Sequence, residues 1–334
     1  MNEKSKKIIQ QLVEDRELLR QKMLWEADSS AMATLSAFLY IAAGRRADIE
    51  RYTECKKHFK RTVNVFSEMR GVSEAIVITK MSLAADYESY LAGVTEVYKK
   101  LRSIHKLTAS PYMVLAAVNI YEAGGTERAD AQIEKLEKIY KEMKADHFWL
   151  TGDEDRPFLA MLVSRDIDIA PISGEIAACY EASKKLSFSK EAMHTASQIM
   201  SLAAGSPEEK AAKLSKTITA LRGYKVRGMK YELMPIAAAL GFIEESPENI
   251  AAGIKEIYDD LATQKGFKWY LANTKRAMYA SLIYALASID ADKALISSVV
   301  NTSITNIIID EIVDMIIVMS ATSAAVNSSA SSSH

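Results

Sequence analysis

The stretch Ile133-Glu134-Lys135-Leu136-Glu137-Lys138-Ile139-Tyr140-Lys141-Glu142-Met143 decides the fold class. Its apolar residues stand at 133, 136, 139, 140 and 143, with lysine and glutamate between them. Gaps of three and four place those side chains on one stripe of an α-helix and the charges on the other face. The same stripe returns along the chain: Val94, Val97, Tyr98 and Leu101; Ile176, Cys179, Tyr180 and Leu186; Leu214, Ile218 and Leu221; Ile254, Ile257, Tyr258 and Leu261. Tyr98, Tyr140, Tyr180 and Tyr258 share one position in it, and Thr219 fills the gap, at steps of 42, 40, 39 and 39 residues. A period near forty with helical patterning inside it predicts stacked helical hairpins.

Each unit reads as an amphipathic helix, a joint, and a second helix dense in small residues. The second helices carry Leu115-Ala116-Ala117, Leu159-Ala160, Leu202-Ala203-Ala204, Ala237-Ala238-Ala239 and Leu286-Ala287. At the joints a leucine precedes a hydroxyl residue, in Leu107-Thr108, Leu150-Thr151 and Leu186-Ser187, with Leu271-Ala272-Asn273 as a looser version. A hydrophobic residue before an N-cap staples the start of a helix, and the polar side chain accepts its orphan N–H groups. Gly124-Gly125-Thr126, Gly205-Ser206-Pro207 and Ser246-Pro247 separate units. Upstream, helices are expected at 3–25, from about 31 to Ala43, and from Asp48 to Met69.

The expected architecture is therefore all-α: a superhelix of α-α hairpins of about forty residues each, with a closed α/α ring as the alternative. Residues 1–87 form an N-terminal helical cap and 88–290 the repeats. Residues 291–320 form an apolar C-terminal helix, with a strand as the rival reading for Thr305–Ile309, and 321–334 a disordered Ser/Ala-rich tail.

The chain has 334 residues, 49% of them hydrophobic and 25% charged, enough for a large core. Its formal net charge of −1 supplies no global field for nucleic acid. A local basic cluster, Lys56, Lys57, Lys60 and Arg61, reads as a solvated helix face. Two distant cysteines, Cys55 and Cys179, exclude a disulfide framework and read as small buried hydrophobes. The N-terminal stretch has no signal-peptide core, and the apolar run Ile307–Met319 is interrupted by Asp310, Glu311 and Asp314, so no membrane span is expected. A cytoplasmic location is the expectation.

The segment Phe148-Trp149-Leu150-Thr151-Gly152-Asp153-Glu154-Asp155-Arg156-Pro157-Phe158, the Leu-Ala steps and the Ile-rich final helix resemble a bacterial family. That family is catalogued as a domain of unknown function, number four thousand and three in its series. The resemblance covers nearly the whole chain and implies an all-helical protein of about this length. It implies no activity, cofactor or catalytic residue.

Asp153-Glu154-Asp155 is the densest acidic patch beside a helix start. Oxygen ligands of this kind suit Mg²⁺ or Ca²⁺, or a metal–diphosphate as in all-helical terpenoid synthases. That chemistry needs a second acidic cluster on a facing helix, which the sequence lacks. The simpler reading is a cap, with Asp155 as N-cap and Pro157 in the first turn. Glu191-x-x-His194 has di-iron spacing but only one copy, which favours an ordinary helix histidine. No phosphate loop, nucleophile elbow or zinc motif is present. Nothing calls for a cofactor, no metal is assigned, and the reading leans away from an enzyme.

The favoured function is a scaffold that binds a protein or peptide. Among the fifteen tyrosines, Tyr112, Tyr121, Tyr231 and Tyr279 are the candidate partner contacts. The alternative is a small-ligand or divalent-metal-dependent enzyme with a pocket at the acidic joint, built from Asp153, Asp155, Arg156, His147 and Trp149. Self-association through the C-terminal helix is a further expectation.

Overall fold

The computed structural model describes residues 1–23, 29–65, 67–70, 73–104, 110–146, 151–163, 171–226, 233–241, 243–267 and 273–288. His105, His147, Trp149, Trp269 and Tyr231 lie outside them, as do the helix expected at 291–320 and the tail at 321–334. Among the described residues there are fourteen α-helices and no strand, so the described fold is all-helical. It divides into two compact units, one spanning Asp15–Asp130, the other Met1–Glu14 together with residues from Ala131 onward.

Helix α1 (Glu3–Lys22) opens the chain. In the Asp15–Asp130 unit follow α2 (Ser29–Ala42), α3 (Ile49–Thr62), α4 (Glu74–Leu83), α5 (Tyr87–Ile104) and α6 (Pro111–Gly124). Helices α3 and α4 pack together, as do α5 and α6, and α4 also lies against α2 and α5. Helix α2 is rich in Ala, Leu and Met and is buried from Ala31 to Tyr40, while α3 buries only Tyr52, Cys55 and Phe59. A helix apolar all round belongs inside, and one with a single stripe belongs at the surface.

Helix α3 ends at Thr62, seven residues before the end expected from the sequence. Val63 turns to extended backbone, and Arg70, from a 3₁₀ turn at Glu68–Arg70, reaches back to the carbonyls of Lys60 and Val63. The guanidinium thus satisfies carbonyls that another helical turn would have used.

The second unit contains α7 (Ala129–Asp146) from Ala131, then α8 (Arg156–Val163), α9 (Ile172–Ser183), α10 (Lys190–Met200), α11 (Pro207–Gly223), α12 (Met234–Leu240), α13 (Pro247–Leu261) and α14 (Asn273–Ser288). Helices α9, α11 and α13 pack side by side, and so do α10, α12 and α14. Helix α9 pairs with α10, and α13 with α14. The first row carries the amphipathic stripes. The second is almost wholly buried, because alanines let its backbones approach closely. Caps fix the helix starts. Ser206 Oγ accepts from Glu209 N at 3.2 Å, and Ser206 N donates to the Glu209 carboxylate at 2.8 Å. Ser246 and Ser189 cap α13 and α10 in the simpler way.

Two hairpins share a lock that the repeat pattern does not announce. Gly93 of α5 lies against the ring of Tyr121 on α6, and Gly253 of α13 against the ring of Tyr284 on α14. A Cβ at either glycine would stand 2.0 Å or 2.2 Å from a ring carbon. Tyr121 also meets Tyr90 edge-on at 5.3 Å, and Tyr284 Oη donates to Glu245 at 2.8 Å, so neither ring can swing away freely. Gly93→Ala and Gly253→Ala should each cost about 1–3 kcal/mol through overpacking. Gly174→Ala on α9, where a Cβ meets nothing within 4 Å, should instead stabilise by up to about 1 kcal/mol. Urea unfolding of the three variants checks the contrast, and equal effects at all three positions would refute the lock.

Candidate functional site

The acidic joint begins with Gly152 in extended backbone and a 3₁₀ turn at Asp153–Asp155 that runs directly into α8. Asp155 is buried, and its Oδ2 accepts from the Gly152 N–H at 2.9 Å. It therefore caps from inside the turn. It is not the N-cap itself, as the sequence reading had it, because the extra 3₁₀ turn moves the helix start three residues upstream. Pro157 does sit in the first turn of α8, where its missing N–H costs little.

Arg156 is among the largest fully buried side chains of the chain. Its Nη1 donates to Glu137 of α7 at 2.5 Å and its Nε to Asp153 at 3.0 Å. Its guanidinium carbon stands 4.1 Å from the centre of the Tyr140 ring. Two carboxylates and an aromatic face thus compensate a charge that burial alone would make very costly.

On the other side of the turn, the Asp155 carboxylate faces α10. Gln198 Nε2 donates to Asp155 Oδ1 at 2.5 Å, and His194 Nε2 lies 3.3 Å from the same oxygen. His194 is 3% exposed and packs edge-on against Tyr180 of α9. Its Nδ1 is buried without a hydrogen-bond partner among the described residues, as is the hydroxyl of Thr151. Glu154 is half-buried, and that burial, helped by Asp155, Glu191 and Asp153 nearby, pushes its carboxyl above the usual range.

A pattern emerges around the repeat tyrosines. Tyr140 is covered by Arg156, Tyr180 by His194, and Tyr258 by Arg276 at 5.2 Å. Each covering residue comes from the first two turns of the next helix, and Tyr258 also donates to Asn273 there at 2.9 Å. The sequence reading isolated the tyrosines and missed this. The available signal was a nitrogen-bearing side chain recurring shortly after each one.

The joint thus brings Asp153, Asp155 and Arg156 together and adds Glu137, His194 and Gln198. Among the described residues no group of three or more His, Cys, Asp or Glu is placed to hold a metal ion. Tyr112 and Tyr279, proposed as partner contacts, are buried, and Tyr121 is half-buried against Gly93. Among the described residues the most exposed large aromatic is Phe188, between α9 and α10.

A family model described as "Protein of unknown function (DUF4003)" matches residues 17–312. The chain belongs to the DUF4003 family. "Uncharacterized protein YeaA" of Bacillus subtilis (strain 168) is 22% identical to this DUF4003 chain over 255 residues, covering 75% of it and 76% of YeaA. No solved structure matches. No helix among the described residues of this DUF4003 member is long and apolar enough to cross a membrane.

Removing one partner of the buried pair should be severe. Arg156→Met should cost about 3–5 kcal/mol, because it removes the cation paired with buried Glu137 and with Asp153. Adding Glu137→Leu should recover much of that loss, measured by chemical unfolding at pH 7. Glu154 gives a pH signature. Burial holds its folded pKa above the ordinary value for a glutamate. Its contribution is therefore fully present below the unfolded pKa and lost as pH rises through the folded one. Glu154→Gln should then exceed the wild type in stability at neutral pH by up to about 1 kcal/mol. The two proteins should converge in acid, a comparison that melting curves from pH 4 to 8 make directly.

Proposed function

We propose that this DUF4003 protein is a cytoplasmic scaffold or adaptor in which stacked helical hairpins continue as a right-handed superhelix and hold a protein or peptide partner. The observation that carries this reading is the contrast between the joint and the surface. Arg156, Asp153 and Asp155 are occupied by one another and by Glu137, Gln198 and the Gly152 N–H. Meanwhile Phe188 stands wholly in solvent at a turn between two packed helices. An exposed aromatic is the kind of residue that anchors an interface. Repeat arrays present such turns along an extended surface. Self-association through residues 291–320 remains part of the proposal, with a change of solution mass on deleting residues 295–334 as its sign.

The rival reading, a small-ligand or divalent-metal enzyme at the joint, has the unpartnered Nδ1 of buried His194 in its favour. On our reading Mg²⁺, Mn²⁺ and Ca²⁺ leave the melting temperature unchanged. A shift that disappears in Asp153→Ala with Asp155→Ala would support the rival instead.

Tagged full-length protein recovered from its native host should bring down one partner near stoichiometry, read by mass spectrometry against a tag-only control. Phe188→Asp should leave the melting temperature within about 1 °C of wild type, being a surface change, and should lose that partner. If no partner is recovered, or if Phe188→Asp retains it undiminished, the scaffold reading through this turn fails.

A further inference from the structure

Helix α3 carries a second surface. Thr53, Lys56, Lys57, Lys60 and Arg61 border a shallow, open patch of surface. Their spacing puts all five on one helix face, a straight ridge about 12 Å long. The opposite face, with Tyr52, Cys55 and Phe59, is the one buried in the unit.

Basic side chains at a helix C-terminus usually complement its dipole and its free carbonyls. Here that task is already filled, since Arg70 donates to the carbonyls of both Lys60 and Val63. Two of the four cations have local partners: Lys60 pairs with Glu74 at 2.7 Å, and Lys56 Nζ donates to the Lys22 carbonyl at 2.7 Å. Lys57 and Arg61 are exposed and have no partner among the described residues. Glu50 and Glu54 lie in the first half of the helix, and Glu74 meets Lys60 and Glu88 lies beside His58 in the second, which leaves Lys57 and Arg61 as the uncompensated cations among the described residues.

We infer that this face of α3 docks an acidic α-helical peptide segment of a partner protein. The inference rests on the scaffold reading and names the chemistry of one partner. Three features favour that occupant. The cations form two i, i+4 pairs, Lys56 with Lys60 and Lys57 with Arg61, and so match acidic side chains at the same interval on a second helix. The long stems of lysine and arginine give this face aliphatic surface against which side chains of a partner can lie. A polynucleotide would draw its affinity from many phosphate contacts and a basic field, and this chain has two unpaired cations here and a net charge of −1.

The test uses the full-length chain and a fluorescein-labelled alanine-based helical peptide with glutamate at every third and fourth position, followed by fluorescence anisotropy. An oligothymidine of equal charge serves as comparator. We expect saturable peptide binding at about 50 mM salt that weakens about tenfold or more by about 200 mM. Lys57→Glu with Arg61→Glu should weaken it by a further factor of about ten while circular dichroism and the melting temperature stay unchanged. Lys60→Gln with Glu74→Gln, which removes the paired cation, should weaken it less. Absence of saturable binding, equal affinity in the Lys57/Arg61 variant, or tighter binding of the oligonucleotide would each overturn the inference. The Phe188-dependent partner capture decides the scaffold reading separately, so a failure here leaves that question where it stood.

Discussion

A tyrosine ring seated on a glycine sets the spacing on which two of the hairpins depend. Tyr121 on Gly93 and Tyr284 on Gly253 bring the amphipathic helix and its partner closer than any side chain at those positions would allow. Close approach is what lets alanine-rich helices such as α12 and α14 bury themselves with little side-chain volume to spare. Dispersion falls off so steeply that a gap of even half an ångström between such helices would forfeit a sizeable part of their contact energy. Glycine has a conformational cost inside a helix, and here the ring contact and the packing beyond it offset that cost.

The second constraint is electrostatic. Arg156 sits in the interior among Glu137, Asp153 and the face of Tyr140, and Asp155 sits beside it with Gln198, His194 and a backbone N–H. Adjacent residues of opposite charge thus point to different neighbours: one turn of chain ties α8 to α7 through Arg156 and to α10 through Asp155. Such an arrangement contributes less to stability than its number of hydrogen bonds suggests, since desolvation opposes it. What it contributes is specificity, because a shifted register would strand both charges. The same positions that look like a metal site in the sequence are those whose geometry has been committed to holding the turn.

Much of the helical class was legible in advance. The helical stripe Ile133–Met143 and the small-residue helices follow directly from spacing, and Tyr98, Tyr140, Tyr180 and Tyr258 are all buried. The end of α3 was misjudged because the cap that stops it comes from Arg70, a residue outside the helix. Asp155 was assigned the wrong capping position because a 3₁₀ turn carries no periodic signature of its own. His194 is the helix histidine expected from the sequence, but its partner Asp155 is distant in sequence and only the fold joins them. The exposed Phe188 was invisible for the opposite reason: hydrophobicity suggests burial, and only three-dimensional packing shows that nothing covers it.

The two cysteines give the molecule a native pair of stopwatches. Cys55 lies in the Asp15–Asp130 unit and Cys179 in the other, both with no solvent exposure and both with thiols pushed up to about 11, chiefly by burial. Only thiolate reacts readily with a disulfide reagent, so neither sulfur can be modified until the helices around it part. Each thiol thereby times the opening of its own unit, with no engineered label. If the units open independently, modification will proceed in two phases whose rates respond separately to Gly93 and Gly253.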